Sequence, residues 1–345
     1  MDNKETLELI KDIKYPNLEK TIDELKVIDN ISIEGDICDV ILVTANEDAF
    51  LKLTGTIKDV LAPHFESVNV VKKAQSQKKS VAYGNTQAPN NRAPYAKNVI
   101  AVTSGKGGVG KTTVAVNIAV GLAQKGFKVG ILDADVYGPN VPRMLQITDQ
   151  QLKWSDDNKI IPGENFGIKA MSVAMTTPSA DTPLVWRGSV ATSALIQFLE
   201  DVDWGELDYM VIDMPPGTGD VQLTMSQELP ISAAVIVTTP QTVAIDDVSR
   251  AIMMFKDTGV RIGGLVENMS YFVAPDTGKT YEIFGKGGGE ETSLYYQIPF
   301  LGKLPLDMEV REFSDGGTPP IAMGDKAQKK KYQKIVENLL KELQQ

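Results

Sequence analysis

The segment Ser104-Gly105-Lys106-Gly107-Gly108-Val109-Gly110-Lys111-Thr112-Thr113 constrains this chain most, because it fits G-x-x-x-x-G-K-[ST] with Gly105, Gly110, Lys111 and Thr112 in register. Such a pattern works only at a strand-to-helix turn. Residues 99–102 are an apolar run of strand length, and residues 113–124 carry apolar side chains at helical spacing, so both flanks are predicted. Glycines let the backbone curl with its N–H groups toward phosphate oxygens, and the N-terminus of the helix adds partial positive charge. Nucleotide contacts are therefore expected from Gly105, Lys106, Gly107, Gly108, Val109, Gly110, Lys111, Thr112 and Thr113. Lys111 would reach the β- and γ-phosphates of ATP, and the Thr112 hydroxyl would hold Mg²⁺.

In an open parallel sheet the ligand sits at the carboxyl ends of the strands, so acidic residues there are candidates for metal and water handling. Two apolar runs end that way, at Ile131-Leu132-Asp133-Ala134-Asp135 and at Val211-Ile212-Asp213 before Met214-Pro215-Pro216-Gly217-Thr218-Gly219-Asp220. Asp213 suits a Mg²⁺-bound water, Asp135 the orientation of the attacking water, and the Gly217 N–H the γ-phosphate.

The rest of the chain limits what else it can be. Its 345 residues allow two domains, and 35 basic against 45 acidic side chains give a net charge of −10, which argues against extended nucleic-acid binding. Cys38 is the only cysteine, so no intrachain disulfide can form; with no secretory leader in view, a cytoplasmic protein is expected. No apolar run reaches the roughly 18 residues of a membrane span. One cysteine and one histidine, His64, exclude a Cys/His zinc site within one chain, and His64 reads as structural.

Residues 1–73 read as a small α+β domain. Its expected order is α-β-β-α-β, with a helix near residues 7–13, strands at 27–33 and 37–43, a helix at 47–61 and a strand at 68–71. Residues 74–97, rich in Gln, Ser, Asn, Pro and Lys, read as a flexible linker. Residues 98–345 alternate apolar strands (99–102, 128–132, 209–212, 233–237, 262–266 and 300–301) with helices, which predicts an α/β P-loop domain with a mainly parallel sheet covered on both faces. The stretch 150–186 breaks the rhythm and is expected to be an insertion of short strands and loops. From Asp325 on, Tyr332, Ile335, Val336, Leu339, Leu340 and Leu343 form an amphipathic stripe behind Lys329-Lys330-Lys331. Docking on the domain is the expected use of that stripe, with weak membrane-surface contact the alternative.

Lys106, directly after the first glycine, makes the loop resemble the deviant Walker A of ATPases related to Mrp, MinD, ParA and the nitrogenase iron protein. In that group this lysine contacts ATP bound to the partner subunit of a dimer. The resemblance narrows at Asp133-Ala134-Asp135-Val136-Tyr137-Gly138-Pro139-Asn140, Trp186-Arg187-Gly188, Asp213 to Asp220, Glu267-Asn268-Met269-Ser270-Tyr271-Phe272 and Phe284-Gly285-Lys286-Gly287-Gly288-Gly289. Together these look like the signature series of the Mrp/ApbC family of iron-sulfur cluster carrier ATPases. It implies a homodimer with ATP between subunits, Lys106, Lys111, Asp135 and Asp213 as catalytic groups, Asn268 reading the adenine, and backbone around Leu304-Pro305-Leu306 completing the pocket. An iron-sulfur cluster and apo iron-sulfur proteins as partners are implied likewise.

Several residues depart from that pattern. Ala274 and Thr277 stand where the family has its C-x-x-C pair, Tyr15-Pro16-Asn17 replaces Asp-Pro-Glu, and a cysteine expected within Thr44-Ala45-Asn46-Glu47-Asp48 is absent. Iron-sulfur clusters need thiolates, so no cluster ligands are expected on this chain. The sequence thus predicts an Mrp-type ATPase of iron-sulfur protein maturation without its own ligands. The alternative is an ATP-switched dimeric module of MinD or ParA type that recruits partners; an electron-donating reductase would need the missing cysteines.

Overall fold

The computed structural model describes residues 1–16, 18–44, 46–73, 91–150, 152–176, 188–323 and 327–344. Expectations that rest on Asn17, Ala45, Trp186-Arg187, Asp325 and the part of the linker from 74 to 90 lie outside them. The described residues fall into two compact units, one built from the N-terminal residues together with Lys286–Phe300, the other from the remainder.

In the N-terminal part, α1 (Asn3–Ile10) starts at a capping box in which Asp2 accepts from the Lys4 and Glu5 N–H groups. Strands β1 (Ile28–Glu34) and β2 (Ile37–Leu42) form an antiparallel hairpin through Gly35, whose φ of 62° suits glycine. Helix α2 (Glu47–Leu61) then leads to β3 (Ser67–Lys72), which runs parallel to β2. The α-β-β-α-β order matches the expectation. Cys38 is fully buried in β2, and burial pushes its thiol pKa up.

The larger unit opens with β4 (Ala96–Ser104), α3 (Lys111–Gln124), β5 (Val129–Asp133) and the single turn α4 (Val141–Met144). The stretch expected as an insertion holds β6 (Lys153–Trp154), β7 (Ile160–Ile161), β8 (Gly163–Asn165) and β9 (Ile168–Ser172). After it come α5 (Gly188–Asp201), β10 (Leu207–Asp213), α6 (Asp220–Glu228), β11 (Ala233–Thr238), α7 (Thr242–Asp257) and β12 (Ile262–Glu267). A small hairpin, β13 (Phe272–Val273) and β14 (Thr280–Tyr281), precedes α8 (Gly288–Tyr296), β15 (Phe300–Lys303), α9 (Met308–Asp315) and α10 (Ala327–Leu343).

The main sheet has the order β15-β12-β11-β4-β10-β5-β9-β8. The stretch 150–186, expected to be an insertion, contributes to the main sheet: β9 pairs parallel with β5, and β8 pairs antiparallel with β9 at the edge. Strand side chains alternate between two cores. Ile100 and Val102 join α3 on one face, whereas Val99 and Ala101 join α5 and Trp204 on the other, as a sheet covered on both sides requires. The parallel order places the carboxyl ends of β4, β5 and β10 side by side, and with them Ser104, Asp133 and Asp213.

The stripe on α10 is buried, with Tyr332, Ile335, Val336, Leu339 and Leu340 in the same core as α3. Ile321 and Val336 lie so close to Gly121 that a Cβ there would overlap both. Docking therefore consumes the face that a membrane surface would need. No helix among the described residues is long and apolar enough to cross a membrane.

Helix α8 groups with the N-terminal residues although it lies within the stretch expected to be one ATPase domain. Leu294 enters the small core, the buried Glu290 accepts from the Asn46 amide at 2.6 Å, and Lys20 pairs with Glu291 at 2.5 Å. The N-terminal fold is completed by a helix that is covalently distant in sequence. Cutting a protease site introduced between residues 74 and 90 is therefore expected to leave residues 1–73 co-eluting with the larger fragment on native size exclusion. Leu294→Ala, at a cost of about 2–5 kcal/mol, should weaken that retention. Clean separation of the two fragments after cleavage of the protein that keeps Leu294 would refute it.

Candidate functional site

The loop between β4 and α3 is shaped by its glycines for different reasons. Gly108 and Gly110 have φ of 79° and 82°, in the left-handed region that glycine tolerates. A Cβ on Gly110 would also strike the Asn268 amide, and one on Gly105 would fall on the Asp247 backbone of α7. Gly107 is exposed and open. Val109 anchors the loop in the core, 2% exposed. Helix α3 begins at Gly110 with no side-chain cap, so the N–H groups of its first turn are left for a ligand.

Beside that helix end the charged groups converge. Lys111, 6% exposed, places Nζ 2.7 Å from Asp213 Oδ1 and 3.6 Å from Asp135 Oδ2. The Thr112 hydroxyl donates to Asp213 Oδ2 at 2.7 Å. Asp213 is fully buried, and burial pushes its carboxyl up while Lys111 pulls it down. Asp133, equally buried, is also pushed up by burial and then by the Asp213 charge. It accepts from the Asp135 N–H at 3.2 Å, the Val141 N–H at 3.1 Å and the Ser172 hydroxyl at 3.1 Å. Asp133 therefore pins both ends of the loop that carries Asp135, while Asp135 itself faces the lysine. Thr113 follows on the same helix turn, and its carbonyl accepts from Asn117.

The remaining expected residues surround this centre. The Lys106 ammonium donates to Gln241 Oε1 at 3.0 Å, and the Ser104 hydroxyl bonds the Lys106 carbonyl at 2.8 Å. Gly217, with φ of 92°, gives its N–H to the Ser104 carbonyl at 2.9 Å. Asn268 is buried and donates to the Val109 carbonyl at 2.9 Å, so it supports the loop as well as facing the site. A cavity of about 590 Å³ opens from the helix end, lined among others by Gly110, Thr112, Arg143, Asn268, Pro305 and Tyr332. Pro305 and Leu306 line it, whereas Leu304 is buried beneath and bonds the Glu267 carbonyl at 2.9 Å.

These residues fit a nucleotide with its metal. The uncapped helix end offers donors to phosphate, Lys111 offers a cation, and the Thr112 and Asp213 oxygens lie together as hard oxygen ligands suited to Mg²⁺. They do not fit a resident iron-sulfur cluster. Ala274, 8% exposed, and the exposed Thr277 lie on the turn between β13 and β14, and the chain's one thiol is buried in β2. Local motifs did not disclose Asp133 as the pin of the Asp135 loop, Gln241 as the resting partner of Lys106, or Arg143 in the cavity. The strand-end D-x-D spacing was the one available signal for Asp133.

Over residues 95–340 the chain matches the ParA family, described as NUBPL iron-transfer P-loop NTPase. An iron-sulfur cluster carrier protein of Deinococcus radiodurans is 44% identical over 319 residues, covering 92% of this chain and 89% of that protein. A nucleotide-binding protein of Archaeoglobus fulgidus, solved in complex with ADP, is 40% identical with a TM-score of 0.58 over 66% of this chain and 88% of its own. MinD of Pyrococcus furiosus, 22% identical with a TM-score of 0.54 over 71% of this chain and 98% of its own, shares the fold. A glycine loop closed on an uncapped helix, strand-end carboxylates around its lysine and a match spanning most of the sequence place this chain in the ParA/NUBPL family of iron-transfer P-loop NTPases.

Proposed function

We propose that the chain binds and hydrolyses ATP with Mg²⁺ as a homodimer serving iron-sulfur protein maturation, and that any cluster it helps move is held by thiolates of its partners. The convergence of Lys111, Thr112, Asp135 and Asp213 on the open end of α3 carries the ATPase part. Lys111 leaves Asp213 for the phosphates, which exchanges one anion for another at the same ammonium. Thr112, and Asp213 through water, would hold Mg²⁺, which when bound would supply neutralisation of the phosphate charge. Asp135 would orient the attacking water; its side chain is 14% exposed where Asp213 and Asp133 are sealed, which supports that role. The Gly217 N–H is engaged with Ser104, so sensing a γ-phosphate means exchanging that bond. Lys106, parked on Gln241, is free to swing toward the nucleotide of a second subunit. Asn268 spends one amide hydrogen on Val109 and keeps a donor and an acceptor for the adenine edge.

The maturation part rests on family membership and on the name of the Deinococcus relative. Asp135→Asn tests the hydrolytic assignment. Turnover should fall about 10²-fold or more, the range of a general base, while ATP titration gives near-unchanged affinity. Undiminished phosphate release would remove Asp135 from that role, and absence of turnover in the unaltered chain with Mg²⁺ would remove the ATPase reading itself.

A further inference from the structure

Gln222 lies in the first turn of α6, only 1% exposed, where a surface helix of this kind usually buries an apolar residue. Its amide nitrogen donates to the Pro215 carbonyl at 2.8 Å and also to the Thr103 hydroxyl. The buried Oε1 of the same amide has no donor among the described residues. Thr103 is itself fully buried, one residue before the end of β4 and two before the glycine loop. One side chain thus joins three things: the strand that feeds the phosphate loop, the segment that carries Gly217, and α6.

The chemistry of that segment makes the link informative. Pro216 has no N–H, so Pro215-Pro216 cannot be held by a strand ladder, and two fixed φ angles make the pair a stiff rod. At one end of the rod Gly217 gives its N–H to the Ser104 carbonyl, and at the other Pro215 takes the Gln222 amide. Gly217 has the left-handed φ that lets it hinge, and Pro215 has none. A displacement of Gly217 away from Ser104 therefore moves the Pro215 carbonyl, and the Gln222 amide must follow it or break.

We propose that Gln222 is a positioning residue: it sets the register of Pro215 to Gly217 against the phosphate loop and passes displacement of Gly217 into α6. This rests on the reading that ATP is turned over at this site, and the position is the same whether or not a cluster is ever carried.

Gln222→Met preserves length and removes the donor. Turnover should fall about tenfold, the equivalent of one buried hydrogen bond, with the KM for ATP within about twofold because Lys111 and the loop are untouched. Amide hydrogen exchange supplies a readout that mere stability would not move. In the unaltered chain a non-hydrolysable ATP analogue should change exchange in both 105–113 and 220–228; in Gln222→Met the change should stay in 105–113 and vanish from 220–228. Thr103→Val should reproduce the turnover loss and Thr103→Ser should not, which decides the matter if Gln222→Met fails to fold. A folded Gln222→Met with full turnover, a rise in KM with kcat unchanged, or continued response of 220–228 to the analogue would each overturn the proposal. If the unaltered chain binds the analogue without turning ATP over, the ATPase reading fails while the exchange comparison still decides the role of Gln222.

Discussion

Lys111→Ala is expected to lose ATP affinity by about 10- to 150-fold, the equivalent of the 1.5–3 kcal/mol of a charge-assisted hydrogen bond, and to abolish measurable turnover. The same change should destabilise the chain. Lys111 is the cation that faces Asp213 at 2.7 Å and Asp135 at 3.6 Å, with Asp133 fully buried behind them. Removing one partner of a buried pair costs about 3–5 kcal/mol when the other stays charged. Here the charge has a way out, because burial already raises the Asp213 carboxyl and without Lys111 it rises further. A group whose folded pKa lies above its unfolded value favours the folded state at low pH and penalises it as pH rises through the folded pKa. The gap in melting temperature between Lys111→Ala and the unaltered chain should therefore be wider at pH 8 than at pH 5. A constant gap would mean that Asp213 is not the group left exposed to the loss. Lys111→Arg separates the two effects: it keeps a cation against the carboxylates, but a planar fork replaces a point charge, so stability should recover further than turnover.

What the sequence disclosed follows from the range of the forces involved. The phosphate loop was legible because its chemistry is local: eight consecutive residues at fixed spacing, between a strand and a helix. The central strands were legible because a sheet covered on both faces writes itself as continuous apolar runs, and residues 209–212, 233–237 and 262–266 fall inside β10, β11 and β12. Membership of the sheet edge was not legible. Ile168–Ser172 is a short run whose partner is β5, and no local signal distinguishes it from the β6-β7 hairpin that stays outside the main sheet.

The same distinction holds within the site. Lys111, Thr112 and Asp213 came from motif and strand-end position, and the structure brings them within hydrogen-bond distance. Asn268 was expected to face a base, but its bond to Val109 depends on the approach of β12 to the loop, which only the fold sets. Gly105 was read as a phosphate-loop glycine; the Asp247 backbone pressed against it is a second reason, written more than a hundred residues away. Gln222 was passed over because one glutamine on an amphipathic helix carries no local sign of burial. Long-range pairings of this kind have no spacing to read.

Ala274→Cys combined with Thr277→Cys is expected to turn a chain without cluster ligands into one that binds iron and sulfide. The turn holding these positions is closed by two backbone bonds, from the Ala274 N–H to the Lys279 carbonyl at 2.9 Å and from the Gly278 N–H to the Ala274 carbonyl at 2.8 Å. Two thiols three residues apart on one closed turn have the spacing of a metal-binding pair. Neither a methyl group nor a hydroxyl substitutes for a thiolate, and Cys38 is sealed in β2 with its thiol pushed toward the protonated form, so the unaltered chain should reconstitute only to background. Two thiolates fill half of a four-ligand site. Cluster uptake by the double variant should therefore shift it to a dimer on anaerobic size exclusion, with near-equal iron and sulfide and visible thiolate-to-iron absorption. Each single variant should hold far less, and adding Cys38→Ala to the double variant should change nothing. Stoichiometric iron and sulfide on the unaltered, unpartnered chain would refute the assignment of ligands to its partners. A folded, ATP-binding double variant that stays colourless would show that the β13-β14 turn does not present a cluster site even when it carries thiols.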